Sequence, residues 1–393
     1  MANELTTGVL IVGSGMAGVT LARELRKLDA NVDITLISAD GGGFYSKPNI
    51  SNALAAGKSA DQLMMSQRDA LAAQLKIQIH SNVQVKAISP QSATAVTSIG
   101  DFEYQHLVLA LGARPIRLPI AGDGAADVLS INHLDHYAEF RRALGGKGDG
   151  KKRVAILGAG LIGCEFANDL RLGGFEVEVF DLAPQALGRL LPAQTAAFLQ
   201  QRMENAGVKF HFNTSIAKLE KSAQHYRLTD SHGASHEADI VLSAIGLIPE
   251  IELAKASGLP VNRGILVDQH LQANGGKGHA PIYALGDCME ISGLNLPFIL
   301  PIMAQARALA KTLSGTPTEL HYAAMPVVVK TPACPTVVCP PPQGSKGVWQ
   351  EEVSADGVRA LFVDANNKPL GFALLGSATT ERQALAAQMP AWL

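Results

Sequence analysis

Cysteine is scarce in this chain. There are four in 393 residues, none before Cys164 and no two in Cys-x-x-Cys spacing, so the sequence contains neither a Cys-x-x-Cys redox dithiol nor a four-thiolate iron-sulfur or zinc motif. So few thiols in a chain of this length suit a reducing compartment, and the cytoplasm is the expectation. An excess of charge of one sign is missing too. Charged residues make up 17% and the formal net charge is -2, which lacks the basic excess of a nucleic-acid binder. Long apolar runs are also missing. The most apolar late stretch, 294–313, is broken by Pro297 and Pro301 and carries Arg307 and Lys311, so no membrane insertion is expected. Residues 1–7 show neither a basic head nor a long apolar run, and no export signal is read there. The eleven histidines show no metal-ligand spacing. His133 and His136 read as part of a solvated helix face, and no metal is expected.

Glycine, at 38 residues, is abundant. It forms Gly-x-Gly-x-x-Gly twice, at Gly13, Gly15 and Gly18 and at Gly158, Gly160 and Gly163. Each run follows a short apolar stretch, Val9-Leu10-Ile11-Val12 or Val154-Ala155-Ile156-Leu157, and opens a helix-compatible segment, 17–27 or 162–170. This strand, turn and helix order is the context that a dinucleotide turn needs. The first glycine permits the sharp turn, the second lets backbone approach a pyrophosphate, and the third packs helix against strand. The helix N-terminus then presents unpaired N–H groups to phosphate. An acid follows each run near the end of the next strand, Asp40 after 32–37 and Asp181 after 177–180, where it can accept from a ribose diol. A carboxylate at Asp181 repels a 2'-phosphate and therefore favours NADH over NADPH. Two dinucleotides are expected to bind at once.

The chain repeats one architectural unit. Strands 106–112 and 239–246 each end in glycine, Gly112 and Gly246, followed within three residues by Pro115 or Pro249, as expected where a chain leaves one domain for another. The segment 145–150 reads as a surface loop ahead of the second unit. The expected organisation is a discontinuous first domain, 1–114 and 246–320, with a second domain, 115–245, inserted in it. A small C-terminal α+β domain, 321–393, follows. Its short strands are expected at 326–331, 336–339, 358–363 and 370–374, with a helix over 380–389. The fold class is α/β, with two Rossmann-like nucleotide-binding domains.

The two glycine runs, together with Ala284-Leu285-Gly286-Asp287, resemble the pyridine nucleotide-disulfide oxidoreductase superfamily of flavoproteins, whose fold is glutathione-reductase-like. Four segments narrow the likeness: Tyr45-Ser46-Lys47-Pro48, 158–170, Val261-Asn262-Arg263-Gly264-Ile265 and Val329-Lys330-Thr331-Pro332-Ala333-Cys334-Pro335. They are most similar to the branch that passes electrons from NADH to rubredoxin for alkane hydroxylation. The resemblance implies FAD on the first run and NADH on the second. It implies FAD contacts from Ser14, Met16, Ala17, Ile37, Ser38, Val85, Ala110, Ile299 and Lys330 as well as the glycines, with Asp287 on the ribityl chain. Lys47 is implied beside the flavin, held there by an ion pair with Glu165. These two are the residues assigned to catalysis. The family's disulfide reductases need a redox cysteine near the flavin, which this chain lacks, and Cys334 and Cys339 read as small buried apolar residues.

NADH yields two electrons as hydride, whereas a thiolate-held iron takes one at a time, so a flavin must divide the pair. The leading expectation is an FAD-dependent NADH:rubredoxin electron transferase, cytoplasmic and monomeric. Its contact with rubredoxin is expected to be transient and electrostatic, with Lys47, Arg114, Arg117 and Lys330 as candidate basic residues. Two alternatives are a ferredoxin reductase of an aromatic-ring dioxygenase and a flavin- and NADH-binding redox sensor.

Overall fold

Val9–Val12 has no polar alternation, the pattern of a strand buried on both faces, and Leu10 and Ile11 are fully enclosed. The computed structural model describes residues 4–145, 152–273 and 279–393. The segment 145–150 therefore lies outside the described residues except for Gly145.

The first sheet has seven strands among the described residues. Strand β1 (Glu4–Val12) leads through helix α1 (Met16–Leu28) to β2 (Ile34–Ile37), and β3 (Gln78–His80) pairs beyond it. On the other side of β1 comes β4 (Asp101–Leu109), which also pairs in parallel with the late strand Ile282–Ala284. Residues more than 170 positions apart thus share one sheet. Because β1 lies between β2 and β4, the turn after Val12 opens at the point where strand order reverses, the usual place for a ligand in such sheets.

The second parallel sheet repeats this plan. Strand β5 (Arg153–Leu157) leads through α2 (Leu161–Leu172) to β6 (Glu176–Phe180), and β7 (Val208–His211) comes next at the edge. A meander of three antiparallel strands, β8 (Ile216–Lys221), β9 (Tyr226–Asp230) and β10 (Ser235–Ala238), packs Leu219, Leu228 and Ala238 against Ala155, Leu157 and Phe180. Strand β11 (Ile240–Ser243) then returns beside β5. Helix α3 (Ile299–Leu313) comes back to pack on α1.

The C-terminal sheet has five antiparallel strands: β12 (Val327–Val329), β13 (Thr336–Cys339), β14 (Val348–Val353), β15 (Gly357–Val363) and β16 (Pro369–Gly376). Strand β14 escapes the sequence reading because it is an edge strand whose residues are half-buried or exposed, so no apolar alternation marks it. The helix expected over 380–389 is only Arg382–Ala386. A 3₁₀ turn, Ser377–Glu381, precedes it, and the Thr379 and Thr380 hydroxyls donate to the carbonyls of Gly376 and Ser377. Those bonds hold the backbone in the tighter turn. Trp392 and Leu393 anchor the chain end: the Trp392 N–H donates to Tyr322 O, and the Tyr322 N–H donates to Leu393 O. No helix among the described residues is long and apolar enough to cross a membrane.

Candidate dinucleotide and flavin sites

Each glycine does a different steric job, and the two turns do them alike. Gly13 has φ +120°, and a Cβ there would stand 2.2 Å from the Ala110 carbonyl oxygen. Gly158 has φ +108°, with Ala244 O at 2.6 Å in the same place. The third glycines, Gly18 and Gly163, would bring a Cβ within 2.0 and 1.9 Å of the carbonyl of the first glycine. The middle glycines are the informative ones. A Cβ on Gly15 or Gly160 would meet nothing within 4 Å, so each turn opens onto free space on the ligand side. Both residues are also N-caps without a side-chain cap, and neither α1 nor α2 has an acid in its first turn. Two helix N-termini therefore keep unpaired N–H groups and an uncompensated positive dipole end facing open space, which fits a pyrophosphate at each.

The acids after the turns are held differently. Asp40 is exposed, and its Oδ1 accepts from Ser38 Oγ (2.5 Å), Ser14 Oγ (3.2 Å) and the Gly42 N–H (2.9 Å). Ser14 and Ser38 also bond each other at 2.6 Å. Ile37 supports this loop from beneath, its carbonyl accepting the Gly13 N–H at 2.8 Å. Asp181 instead accepts backbone N–H groups, Ala159 on Oδ2 at 2.5 Å and Ala183 on Oδ1 at 2.7 Å. It thereby ties the second glycine turn to its own strand end.

Gly286 comes to the first turn of α1. With φ +80°, it would place a Cβ 2.7 Å from that of Ala17. Its N–H donates to Gln305 Oε1 at 2.6 Å, and Gln305 Nε2 donates to Tyr322 Oη at 2.7 Å. The one sequence signal for these supports is that Gln305 is a polar residue inside the apolar run of α3, where it is fully buried. Burial raises the Asp287 carboxyl pKa and the opposing charge of Lys47 lowers it. Burial lowers the Lys47 pKa, against the raising pull of Asp287. Lys47 forms no ion pair within 4 Å among the described residues. A desolvated cation and a desolvated acid within electrostatic reach of each other suit a flavin and its polar ribityl chain. Gly112 has φ +72° with nothing within 4 Å of its Cβ position, and Gly246 has φ +122°. Met16 is partly buried at the start of α1, Val85 packs at the rim of the first core, and Ile299 is exposed at the N-terminus of α3.

The expected ion pair between Lys47 and Glu165 is not what forms. Glu165, 1% exposed, takes Lys330 instead: Oε2 accepts from Nζ at 2.6 Å and Oε1 from the Lys330 N–H at 2.9 Å. Its Oε2 also accepts from Ser51 Oγ at 2.5 Å. The reason is position. Glu165 lies beyond the first turn of α2, on a side that packs against the 3₁₀ helix Lys47–Asn52, and Ser51 is the residue of that helix turned toward it. Asn168 and Asp169, three and four residues on, extend the same buried polar row. Asn168 Oδ1 accepts the Ala333 N–H at 3.0 Å, and Asp169 accepts the N–H groups of Leu54 (2.8 Å) and Ala55 (3.0 Å). One helix therefore joins the loop after Tyr45 to the segment 330–333 of the C-terminal sheet. The sequence signal for this junction is three polar residues at helical spacing within an apolar helix.

Of the candidate docking cations, Lys330 is spent in that junction and Lys47 is half-buried. Arg114 pairs with Glu250 at 3.3 Å, and Arg117 is exposed. His133 and His136 lie against each other at 3.5 Å with their rings tilted by 32°, both half-buried, so they do not form the solvated face expected. All four cysteines are free and buried. Burial pushes the thiols of Cys164, Cys288 and Cys339 up to about 12 and that of Cys334 to about 11, so none is a poised nucleophile.

Residues 7–323 match the family described as pyridine nucleotide-disulphide oxidoreductase, and residues 319–389 match the rubredoxin binding C-terminal domain. The chain is 48% identical over 383 residues to a rubredoxin-NAD(+) reductase of Acinetobacter baylyi, covering 96% of each. It is 44% identical over 384 residues to one from Alcanivorax borkumensis, covering 98% of each. A solved ferredoxin reductase of Rhodopseudomonas palustris shares the fold with a TM-score of 0.86 at 26% identity, over 98% of this chain and 95% of that one. The chain belongs to the pyridine nucleotide-disulphide oxidoreductase family and carries the rubredoxin binding C-terminal domain.

Proposed function

We propose that the chain is a flavoenzyme that takes electrons from NADH and delivers them to rubredoxin. The observation that carries this reading is the pairing of two open, uncapped dinucleotide turns with a C-terminal domain of the rubredoxin-binding type. When bound, FAD supplies the conversion from a two-electron hydride donor to one-electron delivery, which a thiolate-held iron requires.

The domain assignment follows the sequence boundaries: 1–114 with 246–320 for FAD, 115–245 for NADH, and 321–393 against the acceptor. Gly13, Ser14, Gly15 and Gly18 hold the first pyrophosphate. Asp40 and Asp287 accept from hydroxyls of the adenosine ribose and the ribityl chain. Lys47 would place its positive charge beside the flavin ring and favour the electron-rich form. Gly158, Gly160, Gly163 and Asp181 bind NADH. Glu165 positions the loop carrying Lys47 through Ser51, and it holds Lys330 at the junction of the three domains.

The four buried free thiols support a reduced, cytoplasmic setting, and we assign the chain as a monomer. On the resemblance alone, we assign alkane hydroxylation as the use of the reduced rubredoxin. Anaerobic titration of the purified yellow protein tests the donor side. One equivalent of NADH should bleach the flavin much faster than NADPH does; equal rates with both would remove Asp181 from its role.

A further inference from the structure

Histidine spacing in the sequence gives no hint of a metal site, yet the second nucleotide-binding domain brings two histidines and a glutamate together. Glu178 and Phe180 alternate onto one face of β6. Strand β7 pairs His211 beside Phe180, and the covering meander brings His236 on β10 against both. Potential ligand atoms of Glu178, His211 and His236 all lie within 4.8 Å of one another. His211 Nε2 is 3.0 Å and His236 Nδ1 3.7 Å from the same oxygen, Glu178 Oε2. Donor atoms around a tetrahedral zinc ion with bonds of about 2.0–2.1 Å stand roughly 3.4 Å apart, so these donors bracket the required spacing.

The rings are held in place. His211 stacks on Phe180 at 4.5 Å and 7°, and His236 meets the same ring edge-on at 4.9 Å. His236 Nε2 lies 3.0 Å from Asp230 Oδ2, while Asp230 Oδ1 is fixed by the N–H groups of His232 and Ala234, each at 2.9 Å. A carboxylate on one ring nitrogen keeps the proton there and leaves the lone pair of Nδ1 aimed at Glu178, the arrangement that orients metal-bound histidines. Lys209 occupies only the other oxygen, Glu178 Oε1, at 3.3 Å. A cleft of about 510 Å³ lined by Glu178, Phe180, His236 and Lys209 gives access from solvent and room for a water as fourth ligand.

We propose that Glu178, His211 and His236 form a binding site for one divalent transition-metal ion, zinc foremost, with Asp230 orienting His236. Two imidazoles and one carboxylate suit zinc, cobalt, nickel or copper rather than magnesium or calcium. The ion clamps the meander to the parallel sheet at the edge of their shared core. It takes no part in electron transfer and is independent of the flavin reading.

The test uses the tag-free, flavin-loaded protein after chelator treatment. Calorimetric titration with zinc should give one equivalent bound, and cobalt should develop ligand-field bands to the red of the flavin absorption. Zinc should also raise the melting temperature by several degrees. His236→Ala and Glu178→Gln should abolish all three effects, and Asp230→Asn should weaken binding about tenfold to a hundredfold. His321→Ala, at an exposed histidine outside the meander, should change nothing. The proposal is overturned if wild type binds no zinc, if the stoichiometry survives in His236→Ala, or if cobalt gives only the weak spectrum of an octahedral aquo ion. Reduction of the flavin by NADH in each variant reports whether this domain has folded.

Discussion

The two glycine turns are nearly the same object, and the helices that leave them are not. In both, the first glycine adopts a positive φ against a neighbouring carbonyl, the third packs on the first, and the second faces open space. Beyond the turn, α1 buries Ala17, Val19, Leu21, Ala22 and Leu25, an apolar face against the first sheet and α3. Helix α2 buries Glu165, Asn168 and Asp169 and uses them to hold two other parts of the chain. The shared turn geometry suits a pyrophosphate, the group common to any dinucleotide. The helix is free to serve the architecture: an apolar core in the first unit, and a polar junction where the second unit meets its neighbours.

The sharpest way to break this comparison is to add one methyl group to each turn. Gly18→Ala and Gly163→Ala both force a Cβ onto a backbone carbonyl, at 2.0 and 1.9 Å. Gly18→Ala should yield colourless or insoluble protein. Gly163→Ala should stay yellow and reducible by dithionite, with NADH reduction slowed by about a hundredfold or more. Flavin-to-protein ratio and stopped-flow absorbance read both; loss of flavin from Gly163→Ala would merge the two sites into one.

The junction comes next in size. Glu165→Ala leaves Lys330 and Ser51 without their partner, and breaking such a buried pair costs about 3–5 kcal/mol. Denaturant unfolding should detect it, and Lys330→Met should lose a comparable amount because it strands the glutamate. If Lys47→Met were the destabilising change and Lys330→Met neutral, the assignment of the pair would be wrong.

The acids should separate donor specificity from flavin binding. Asp181→Ala combined with Leu182→Arg, the latter residue 71% exposed next to Asp181, removes a charge that would repel a 2'-phosphate and supplies a cation. The NADH over NADPH ratio of kcat/KM should fall on the order of a hundredfold. Asp40→Asn should leave that ratio unchanged. A smaller effect is expected from salt: turnover with rubredoxin should fall severalfold from low to high ionic strength while flavin reduction by NADH stays nearly constant. Smallest of all, iodoacetamide near neutral pH should leave turnover untouched, because all four thiols are buried and held far above their usual pKa.

Most of the fold is legible in the sequence because glycine turns and buried parallel strands are local patterns. Val9–Val12 and Val154–Leu157 announce their strands, and the glycines announce the helices α1 and α2. The pairing of Ile282–Ala284 with β4 depends on chain separation that no local pattern encodes. Site residues divide along the same line. Gly13 and Gly158 make their sharp turns, and Asp40 and Asp181 follow their strands, where the sequence puts them. Glu165 stands out in the sequence but its partner does not, because Lys47 and Lys330 are both lysines in segments that pack near α2 and only the packing of the 3₁₀ helix Lys47–Asn52 chooses between them. Ser51 and Tyr322 escape a sequence reading, each a single polar residue whose role exists only through a tertiary contact, and Gln305 is marked only as a polar residue in an apolar helix. The cluster of Glu178, His211 and His236 lies on three strands and has no sequence spacing at all.

The most direct test mixes NADH-reduced enzyme with oxidised rubredoxin or with a plant-type ferredoxin under anaerobic conditions, following flavin and iron absorbance together. Rapid return of flavin colour coupled to bleaching of rubredoxin, in the ratio of two irons per flavin and much faster than with ferredoxin, is the expected result. Preference for ferredoxin, or slow reoxidation by both, would contradict the account.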